Sequence, residues 1–584
     1  MHLDRRDAST SHCNRSPRMT DKLKNVSQDK GHQLIVEKDV WIPLRDGGKL
    51  CADIFRPDTS TKVPVIANIS VYQKDKLWIP PADLDEKANP HMNWETVNPQ
   101  WWCPREYACL RIDSRGSGKS PGKCEPSSYQ ESLDFYDCIE WVAKQPWCNG
   151  SVGTLGISYH ASSQWRVANL RPPSLKAIMP WEGRADQYRD QCYHGGIFSM
   201  GFVSNWIATH TAHHLLGRPR SFNPESFQPD MLYNLMRNDL DSEWWRMMSA
   251  RWENITLPVY SVGNWGGFSL HLRGNTEGYT QALSKHKKLR IHTGTHFHPF
   301  HSHEGRAEQL RWFDQWLKGI DTGILDEPPV KLEIRTGGSK KPYAFRTENA
   351  WPITRTEWKM LFLNVEREQG QDDMATEGAL TFDPPETGAS VSYSASGSTA
   401  AGVASGSSLS TTHGGAGRLG VSFETGAMPQ DTEITGPLKL VLWVSSTTED
   451  MDIMATLRNI GPDGKDVWEV GQHGGPVPLT KGWLRASHRK LDQGKSTPMR
   501  PYHAHNERWW LAPDEPVECQ IEIWPTCIVL KKGHKLRLDI QPRDGVGAAP
   551  YTHYHCDYNA GATNTIYSGG DKKSYLLAPF IPSA

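Results

Sequence analysis

A serine stands at Ser158 in the sequence Gly156-Ile-Ser158-Tyr-His-Ala161. The preceding run 150–156 is typical of a strand, and the residues from Ala161 to Leu170 follow a helical pattern. A serine with small neighbours at a tight turn between strand and helix exposes a nucleophilic hydroxyl. Gly-x-Ser is common by chance, and the flanking elements give the motif its weight. The pattern predicts Ser158 as the nucleophile of an acyl-transfer reaction.

A serine hydroxyl needs a base to take its proton, and a histidine after the last predicted strand, residues 289–293, can supply it. His296 directly follows Gly294-Thr295 and best fits a tight turn that aims an imidazole at the serine, and His298 is the second choice. Four histidines between 296 and 303 could also bind a metal. They lack partnering cysteines and a Glu-bearing His helix, so we expect no metal.

Strands and helices alternate over the first half of the chain, which predicts an α/β domain. A hairpin is expected over 36–57, and helices over 129–145 and 304–317. Residues 184–253 are rich in Trp, His and Met without strand alternation, which predicts an inserted helical cap. The α/β domain therefore comprises 33–183 and 254–326, with strands at 64–70, 107–113, 150–156, 175–180, 257–262 and 289–293.

The second half of the chain, from residue 327, changes to short alternating runs separated by Gly and Pro. This texture predicts an all-β jelly roll or sandwich over 327–584, with strands at 330–335, 438–445, 518–523 and 535–540. The Ser- and Gly-rich stretch 386–418 predicts a flexible loop within it. The polar residues 1–32 predict a disordered leader, neither a secretion signal nor a membrane anchor.

The composition limits the classes of partner. The 66 acidic and 65 basic residues leave a net charge of -1, which gives no electrostatic reason to expect nucleic acid or an anionic membrane. The 24 Trp suggest aromatic surfaces in the core and around a pocket. The 11 Cys are scattered without Cys-x-x-Cys pairs, which favours reduced thiols and a cytoplasmic location. We expect a neutral small-molecule substrate and no cofactor, and homo-oligomer formation is left open.

Several motifs follow one another in a fixed order across residues 36–580. The chain thereby resembles the superfamily of cocaine esterases, glutaryl acylases and X-Pro dipeptidyl-peptidases. The motifs are Arg45-Asp-Gly47, Tyr72-Gln-Lys74, Asp113-Ser-Arg-Gly-Ser-Gly118, Glu140-Trp141, Gln145-Pro-Trp147, Gly156-Ile-Ser-Tyr159, Phe313-Asp-Gln-Trp-Leu-Lys-Gly319, Gly436-Pro-Leu-Lys-Leu440, Ser445-Ser446 and Gly482-Trp-Leu-Arg485 with Ala486-Ser-His-Arg489.

The resemblance implies an α/β-hydrolase domain with an inserted helical cap and a C-terminal jelly-roll domain of the galactose-binding-like type. It also implies an oxyanion hole made by a tyrosine hydroxyl and by the backbone N–H after the nucleophile. Tyr72 and the N–H of Tyr159 match these two donors, although Val71 replaces the usual proline. Two fixed donors stabilise the oxyanion of a tetrahedral intermediate.

The triad acid departs from the pattern of the resembled family, which places an Asp in Gly-Trp-x-Asp. This sequence has Gly263-Asn-Trp-Gly-Gly267, with Gly267 where the carboxylate is expected. Some α/β-hydrolases carry the acid after the strand that follows the nucleophile helix, and Glu182 stands there. We therefore predict Glu182 as the acid, with Asp186 as the alternative. His271 is interpreted as a buried hydrogen-bonding residue rather than a catalyst.

The predicted function is hydrolysis of an ester or amide through a Ser158 acyl-enzyme. An apolar acyl slot built by Trp181, Trp206 and Trp265 would favour an esterase. A dipeptidyl-peptidase for Xaa-Pro substrates is the alternative, with Glu182 or a carboxylate of the cap binding the free amino group. A non-catalytic binding protein with a degraded triad is the alternative from another class.

Overall fold

The structure is a computed structural model. It describes residues 25–76, 78–82, 84–212, 231–338, 342–365, 378–395, 420–544, 552–554 and 557–582.

Ten strands form one large sheet in the order β1-β2-β4-β3-β5-β6-β9-β10-β11-β12. The strands from β4 to β11 in this order run parallel, and the outer pairs are antiparallel. Their bounds are β1 (Leu34–Pro43), β2 (Lys49–Pro57), β3 (Val63–Ser70), β4 (Ala108–Asp113), β5 (Cys148–Ile157), β6 (Leu175–Trp181), β9 (Val259–Asn264), β10 (Lys287–His292), β11 (Val330–Ile334) and β12 (Ala344–Glu348).

Helices cover both faces of this sheet. Apolar residues of the sheet interior pack with Phe135 and Trp165 on one face and with Trp102 and Phe313 on the other. Every residue of β3 and β4 is buried, as expected of strands covered on both faces, and most of them are apolar. The helices of this unit are α1 (Pro99–Trp102), α2 (Tyr129–Ala143), α3 (Tyr159–Ala168), α7 (Leu272–Gln281), α8 (His298–His301) and α9 (His303–Phe313).

The described part of the segment between β6 and β9, which contains the predicted cap at 184–253, is mainly helical, and residues 213–230 lie outside the described chain. It also contains one small hairpin that was not predicted. Its elements are a π-helix (Gln187–Cys192), β7 (Tyr193–His194), β8 (Ile197–Phe198), α4 (Met200–Trp206), a second π-helix (Ile207–Ala212), α5 (Met231–Arg237) and α6 (Glu243–Met247).

The C-terminal part is β-rich, and its main sheet closes on itself because β25 pairs with both β13 and β17. Its strands are β13 (Glu357–Val365), β14 (Gly378–Thr381), β15 (Ala389–Ser394), β16 (Val421–Glu424), β17 (Thr432–Ser446), β18 (Asp452–Ile460), β21 (Thr480–Arg485), β22 (Val517–Leu530), β23 (Lys535–Gln541), β24 (Thr563–Ser568) and β25 (Tyr575–Ile581), with the separate pair β19 (Glu469–Val470) and β20 (Pro476–Val477).

Three predicted boundaries differ from the structure. Strand β11 pairs in parallel with β10, so the α/β sheet continues past residue 327 and ends at β12. Strand β15 pairs with β24 inside the stretch predicted as a flexible loop, whose residues 396–418 lie outside the described chain. The Ser27 hydroxyl of the predicted leader donates to Asp314 at 2.7 Å, so the end of the leader is attached, while residues 1–24 lie outside the described chain.

Among the described residues, no helix is both long enough and apolar enough to cross a lipid bilayer.

Candidate active site

Ser158 lies between the end of β5 and the start of α3, with φ 57° and ψ -110°. This left-handed conformation is unusual for a residue with a side chain and holds the serine at a sharp turn. Gly156 is required beside it, since a Cβ there would lie 2.6 Å from the Cβ of His160. The predicted strand, turn and helix are all present. The turn places Ser158 at the carboxyl edge of the parallel strands, where sites of open α/β sheets form.

His271 contacts the Ser158 hydroxyl: its Nε2 lies 3.2 Å from the Oγ. His271 directly precedes α7, and its Nδ1 lies 3.1 Å from Oε1 of Gln472, a residue of the β-rich part. Because an amide oxygen only accepts, Nδ1 carries the hydrogen and Nε2 accepts from the serine. His271 is buried and hydrogen-bonded, as interpreted, but one of its partners is Ser158, the predicted nucleophile, and the sequence analysis missed this contact.

Glu182 and His296 form a buried pair in which the His296 Nδ1 lies 2.7 Å from Oε2 of Glu182. Glu182 follows β6 and His296 follows β10, so the predicted acid and the predicted base meet at the carboxyl edge. The other oxygen of Glu182 accepts from Asn264 at 3.3 Å. Burial favours the neutral acid, but His296 and His292 outweigh it and hold the pKa of Glu182 below its usual value.

Glu95 occupies the far side of His296, with its Oε1 3.3 Å from the His296 Nε2. It lies in a loop before α1, and its carbonyl accepts from the N–H of Ile157 at 3.0 Å, which ties the loop to the nucleophile turn. Burial raises the pKa of Glu95, and contacts with His296 and with the Tyr159 backbone N–H offset part of the rise. No motif distinguished Glu95 in the sequence.

The two histidines stack nearly parallel, with ring centroids 5.4 Å apart and planes 9° apart. Their electrostatic surroundings are opposite. Burial opposes protonation of His296, but Glu182 and Glu95 raise its pKa to about 10. Burial and the nearby His296 lower the pKa of His271 well below its usual value. His296 is therefore the imidazole on which positive charge is stabilised.

Tyr72 and Tyr159, the two predicted oxyanion donors, are adjacent, with ring centroids 5.5 Å apart. Burial and the Glu95 charge raise the pKa of Tyr72 well above its usual value, and hydrogen bonds with Trp206 and Ser158 offset part of the rise. The Tyr72 oxygen accepts from the Trp206 indole at 3.1 Å. The phenol proton is thus retained as a donor, and the Tyr159 N–H faces the Glu95 carboxylate.

Only one of the three tryptophans predicted to build an acyl slot borders this site. Trp206 stacks on Tyr159 with centroids 5.8 Å apart. Trp181 donates to His292 in the sheet interior, and Trp265 donates to the carbonyl of Glu333. Both are fully buried in the core because their positions, at the end of β6 and just after β9, put their rings between packed layers.

Two alternative site residues lie away from the Ser158 centre. His298 is exposed by 43% and lies 3.7 Å from Asp85 at the start of α8, because the helix turns it outward. Asp186 caps a π-helix by accepting from the Arg189 N–H at 3.0 Å. Their described contacts are with Asp85 and Arg189, and both residues stay alternatives to His296 and Glu182.

Glu182, His271 and His296 each offer one ligand atom, and these atoms lie within 4.8 Å of one another. Their number and type fit a zinc-like ion. However, the His296 Nδ1 is already engaged by Glu182, and the His271 Nε2 by Ser158. These two nitrogen atoms are therefore already used in hydrogen bonds within the protein.

A strained serine between strand and helix, a histidine 3.2 Å from its hydroxyl and a second β-rich domain together define a serine hydrolase with an α/β-hydrolase-like fold. The family model of the X-Pro dipeptidyl-peptidase (S15 family) matches residues 46–298. The model of the X-Pro dipeptidyl-peptidase C-terminal non-catalytic domain matches residues 322–577.

Known proteins agree with this assignment. A CocE/NonD family hydrolase from Staphylococcus aureus is 30% identical, with a TM-score of 0.82 over 94% of both chains. Cocaine esterase from Rhodococcus sp. is 23% identical over 94% of this chain and 98% of its own length. An α-amino acid ester hydrolase of 16% identity and TM-score 0.66 shares the fold. The chain belongs to the CocE/NonD family of hydrolases, and it is an enzyme rather than a binding protein with a degraded triad.

Proposed function

We propose that this serine hydrolase uses Ser158 as nucleophile and His296 as general base. Glu182 is the triad acid, which orients the His296 ring and stabilises its protonated form. The hydrogen bond of 2.7 Å between the His296 Nδ1 and Glu182 carries the proposal. A carboxylate in this position fixes the tautomer of the imidazole and stabilises the imidazolium that forms when the serine attacks. Glu182 thereby replaces the carboxylate expected at Gly267.

The choice of His296 over His271 rests on charge. A base must hold a proton in the transition state, and His296 has an anionic partner whereas His271 has a neutral amide. A second cation on His271 would also lie beside His296. In the free enzyme the Ser158 hydroxyl lies 3.2 Å from His271 Nε2. Proton transfer to His296 requires a new hydrogen bond when substrate binds, since catalytic hydrogen bonds of free enzymes are often not yet aligned.

The reaction proceeds in two acyl-transfer steps. The Ser158 oxygen bonds to the substrate carbonyl carbon while its proton passes to His296 Nε2, and the oxyanion accepts from Tyr72 and from the Tyr159 N–H. His296 returns the proton to the leaving oxygen or nitrogen as the C–O or C–N bond breaks. Water then repeats the sequence on the acyl-enzyme and releases the acid. The substrate carbonyl takes the place that the Glu95 carboxylate holds beside the Tyr159 N–H.

We propose an ester or amide with an apolar acyl group as substrate. A cavity of about 340 Å³ lies under the helical segment and is lined by Met231, Leu235, Trp244 and Met247. It also reaches Cys124, which packs in one cluster with Tyr72 and Tyr159. Polar residues such as Glu125 and Gln187 line another part of this cavity, and its apolar side suits the acyl portion of such a substrate.

A short peptide with an N-terminal Xaa-Pro unit is the second candidate, because Glu95 is a buried carboxylate beside the base. Hydrolysis of p-nitrophenyl esters with acyl chains of increasing length, compared with Xaa-Pro p-nitroanilides, separates the two. We expect the larger kcat/KM for the esters, rising with acyl length. A larger kcat/KM for the Xaa-Pro substrates would contradict the proposed substrate with an apolar acyl group. It would leave the proposed catalytic residues unaffected.

Substitution of the acid tests the centre itself. Glu182→Gln keeps the shape but leaves His296 without a charged partner, and we expect kcat for ester hydrolysis to fall about 1,000- to 10,000-fold, as for other triad acids. Ser158→Ala should abolish labelling by a fluorophosphonate. Both variants are measured against p-nitrophenyl esters.

The matched control is Glu86→Gln, because Glu86 is another buried carboxylate on a histidine, 3.0 Å from His301 Nδ1, outside the centre. Its kcat should stay within about threefold of wild type. Turnover by Glu182→Gln equal to that of Glu86→Gln would remove Glu182 from the mechanism.

We also propose that the helical segment between β6 and β9 serves as a cap over the site and that the closed β sheet is a jelly roll. Trp206 of this segment, which donates to Tyr72, supports the first point. The cytoplasmic location stays a prediction, supported by nine buried cysteines with free thiols. Homo-oligomer formation, and the absence of nucleic-acid and membrane partners, also stay predictions.

A further inference from the structure

The β-rich domain reaches the catalytic centre through Gln472, which follows β19. The side-chain oxygen of Gln472 lies 3.1 Å from His271 Nδ1. Its backbone carbonyl accepts from the N–H of His296 at 2.8 Å. Gln472 is almost completely buried, so both contacts are shielded from water. One residue of the second domain therefore touches both histidines of the first.

Gly266 and Gly267 lie in the turn where the family pattern predicts the triad acid. Because they have no side chains, they leave room for Gln472. A Cβ on Gly267 would lie 3.0 Å from the Gln472 side-chain oxygen. A Cβ on Gly266 would lie 2.5 Å from the Val470 carbonyl, closer than such atoms approach. A Cβ at Gly267 would therefore require the Gln472 amide to shift by a few tenths of an ångström. Gly266 therefore allows the second domain to approach this turn closely.

The amide of Gln472 is held in one orientation. Its Nε2 lies 3.1 Å from the His473 Nε2. Burial lowers the pKa of His473 to about 4, so its ring is neutral at pH 7 and its Nε2 can accept. The amide nitrogen then points to His473 and the oxygen to His271. Each hydrogen bond in the series orients the next, as outer groups orient histidines in other enzyme sites.

We propose that Gln472 is a positioning residue that holds His271 as the Nδ1–H tautomer, so that its Nε2 accepts from Ser158 and keeps the hydroxyl at the stacked pair of histidines until substrate binds. The β-rich domain, matched by a family model of a non-catalytic domain, thereby completes the catalytic centre. The inference deepens the proposed function and rests on Ser158 as nucleophile. It does not depend on which carboxylate serves His296.

Substitution of Gln472 by alanine and by glutamate tests this role. Gln472→Ala removes the acceptor, and we expect kcat to fall about 10- to 100-fold with KM within about twofold of wild type, since the tautomer of His271 is no longer fixed. Gln472→Glu keeps an acceptor of the same length, and we expect kcat within about fivefold of wild type. Each enzyme is assayed at the pH of its maximal kcat with p-nitrophenyl esters. Gln520→Ala, whose side chain donates to Glu518 on the surface, is the matched control and should be unchanged.

A double-mutant cycle with His271→Asn keeps the inference testable if Gln472→Ala is poorly folded. If Gln472 acts through His271, Gln472→Glu and Gln472→Ala should each change kcat by less than about twofold in the His271→Asn background. Gln472→Ala with wild-type kcat, or an equal loss for alanine and glutamate, would overturn the inference. So would a full Gln472→Ala effect in the His271→Asn background. If Glu182 is not the triad acid, the result is seen in a separate experiment, because Glu182→Gln would then keep the kcat of wild type.

Discussion

Three residues around the catalytic centre hold left-handed backbone conformations. They are Ser158, Glu182 and Glu95, with φ of 57°, 48° and 60°. Such conformations cost about 1 to 3 kcal/mol each and persist where the surrounding structure enforces them. Here the Ser158 N–H donates to the carbonyls of Trp181 and Glu182 at 3.0 and 3.1 Å. The nucleophile and the acid are thus positioned through one shared set of backbone contacts.

Tyr72 provides a test of the oxyanion site. Tyr72→Phe removes the phenol donor and leaves the ring packing, so we expect kcat to fall about 100- to 1,000-fold with a small change in KM. The measurement is steady-state hydrolysis of a p-nitrophenyl ester.

Tyr107→Phe is the matched control, because Tyr107 is also buried and donates to Asp314 at 2.7 Å, away from Ser158. This variant should keep its kcat even if it is less stable. Equal kcat for the two Phe variants would show that the Tyr72 hydroxyl does not stabilise the transition state.

The sequence analysis predicted those residues of the proposed centre that lie directly after a strand. Ser158, Glu182 and His296 all lie just after a strand of the parallel sheet, where a rule for site position exists. Glu95 and Gln472 come from loops with no such rule, and Gln472 is 201 residues from its partner His271. Contacts of this kind depend on domain packing, which local patterns do not encode.

The short turn Trp265–Gly267 after β9 determines how closely the two domains approach. Gly266→Ala would place its Cβ against the Val470 carbonyl at 2.5 Å, and neither backbone can shift without moving Gln472. We expect a loss of about 1 to 3 kcal/mol in unfolding free energy, typical of overpacking, together with a lower kcat. Chemical denaturation and ester hydrolysis measure the two effects.

Gly426→Ala serves as the comparison, because a Cβ there meets nothing within 4 Å. It should leave stability and kcat close to wild type. If Gly266→Ala behaves in the same way, the close approach of the domains at this turn is not required.

The hydrophobic periodicity of the sequence was sufficient to predict most strands and helices of the α/β unit. The predicted strand at 64–70 is β3 (Val63–Ser70), and the predicted helix at 129–145 is α2 (Tyr129–Ala143). It was insufficient at the domain boundary. Strand β11 has the short form expected of the β domain, yet it pairs with the free edge of β10. Edge pairing is decided by which neighbour is available in space, not by the local pattern.

The two domains are joined by buried charges as well as by Gln472. Arg273, in the first turn of α7, lies 3.0 Å from both Asp190 of the helical segment and Glu522 of β22. Breaking a buried network of this kind is costly because it leaves an unpaired charge. Arg273 therefore joins the α/β unit, the helical segment and the β-rich domain at a point within one helix turn of His271.

The pH dependence of kcat/KM tests the assignment of the base most directly, because it reports the ionisation of the free enzyme. His296, whose pKa is raised to about 10, must lose its proton before it can act. We therefore predict that kcat/KM for ester hydrolysis rises with pH from 6.5 upward, with its midpoint well above pH 7.5, after correction for spontaneous hydrolysis. Burial holds the pKa of His271 well below its usual value. A profile that is already level at pH 6.5 would identify His271 as the base and contradict the Ser158, His296 and Glu182 centre.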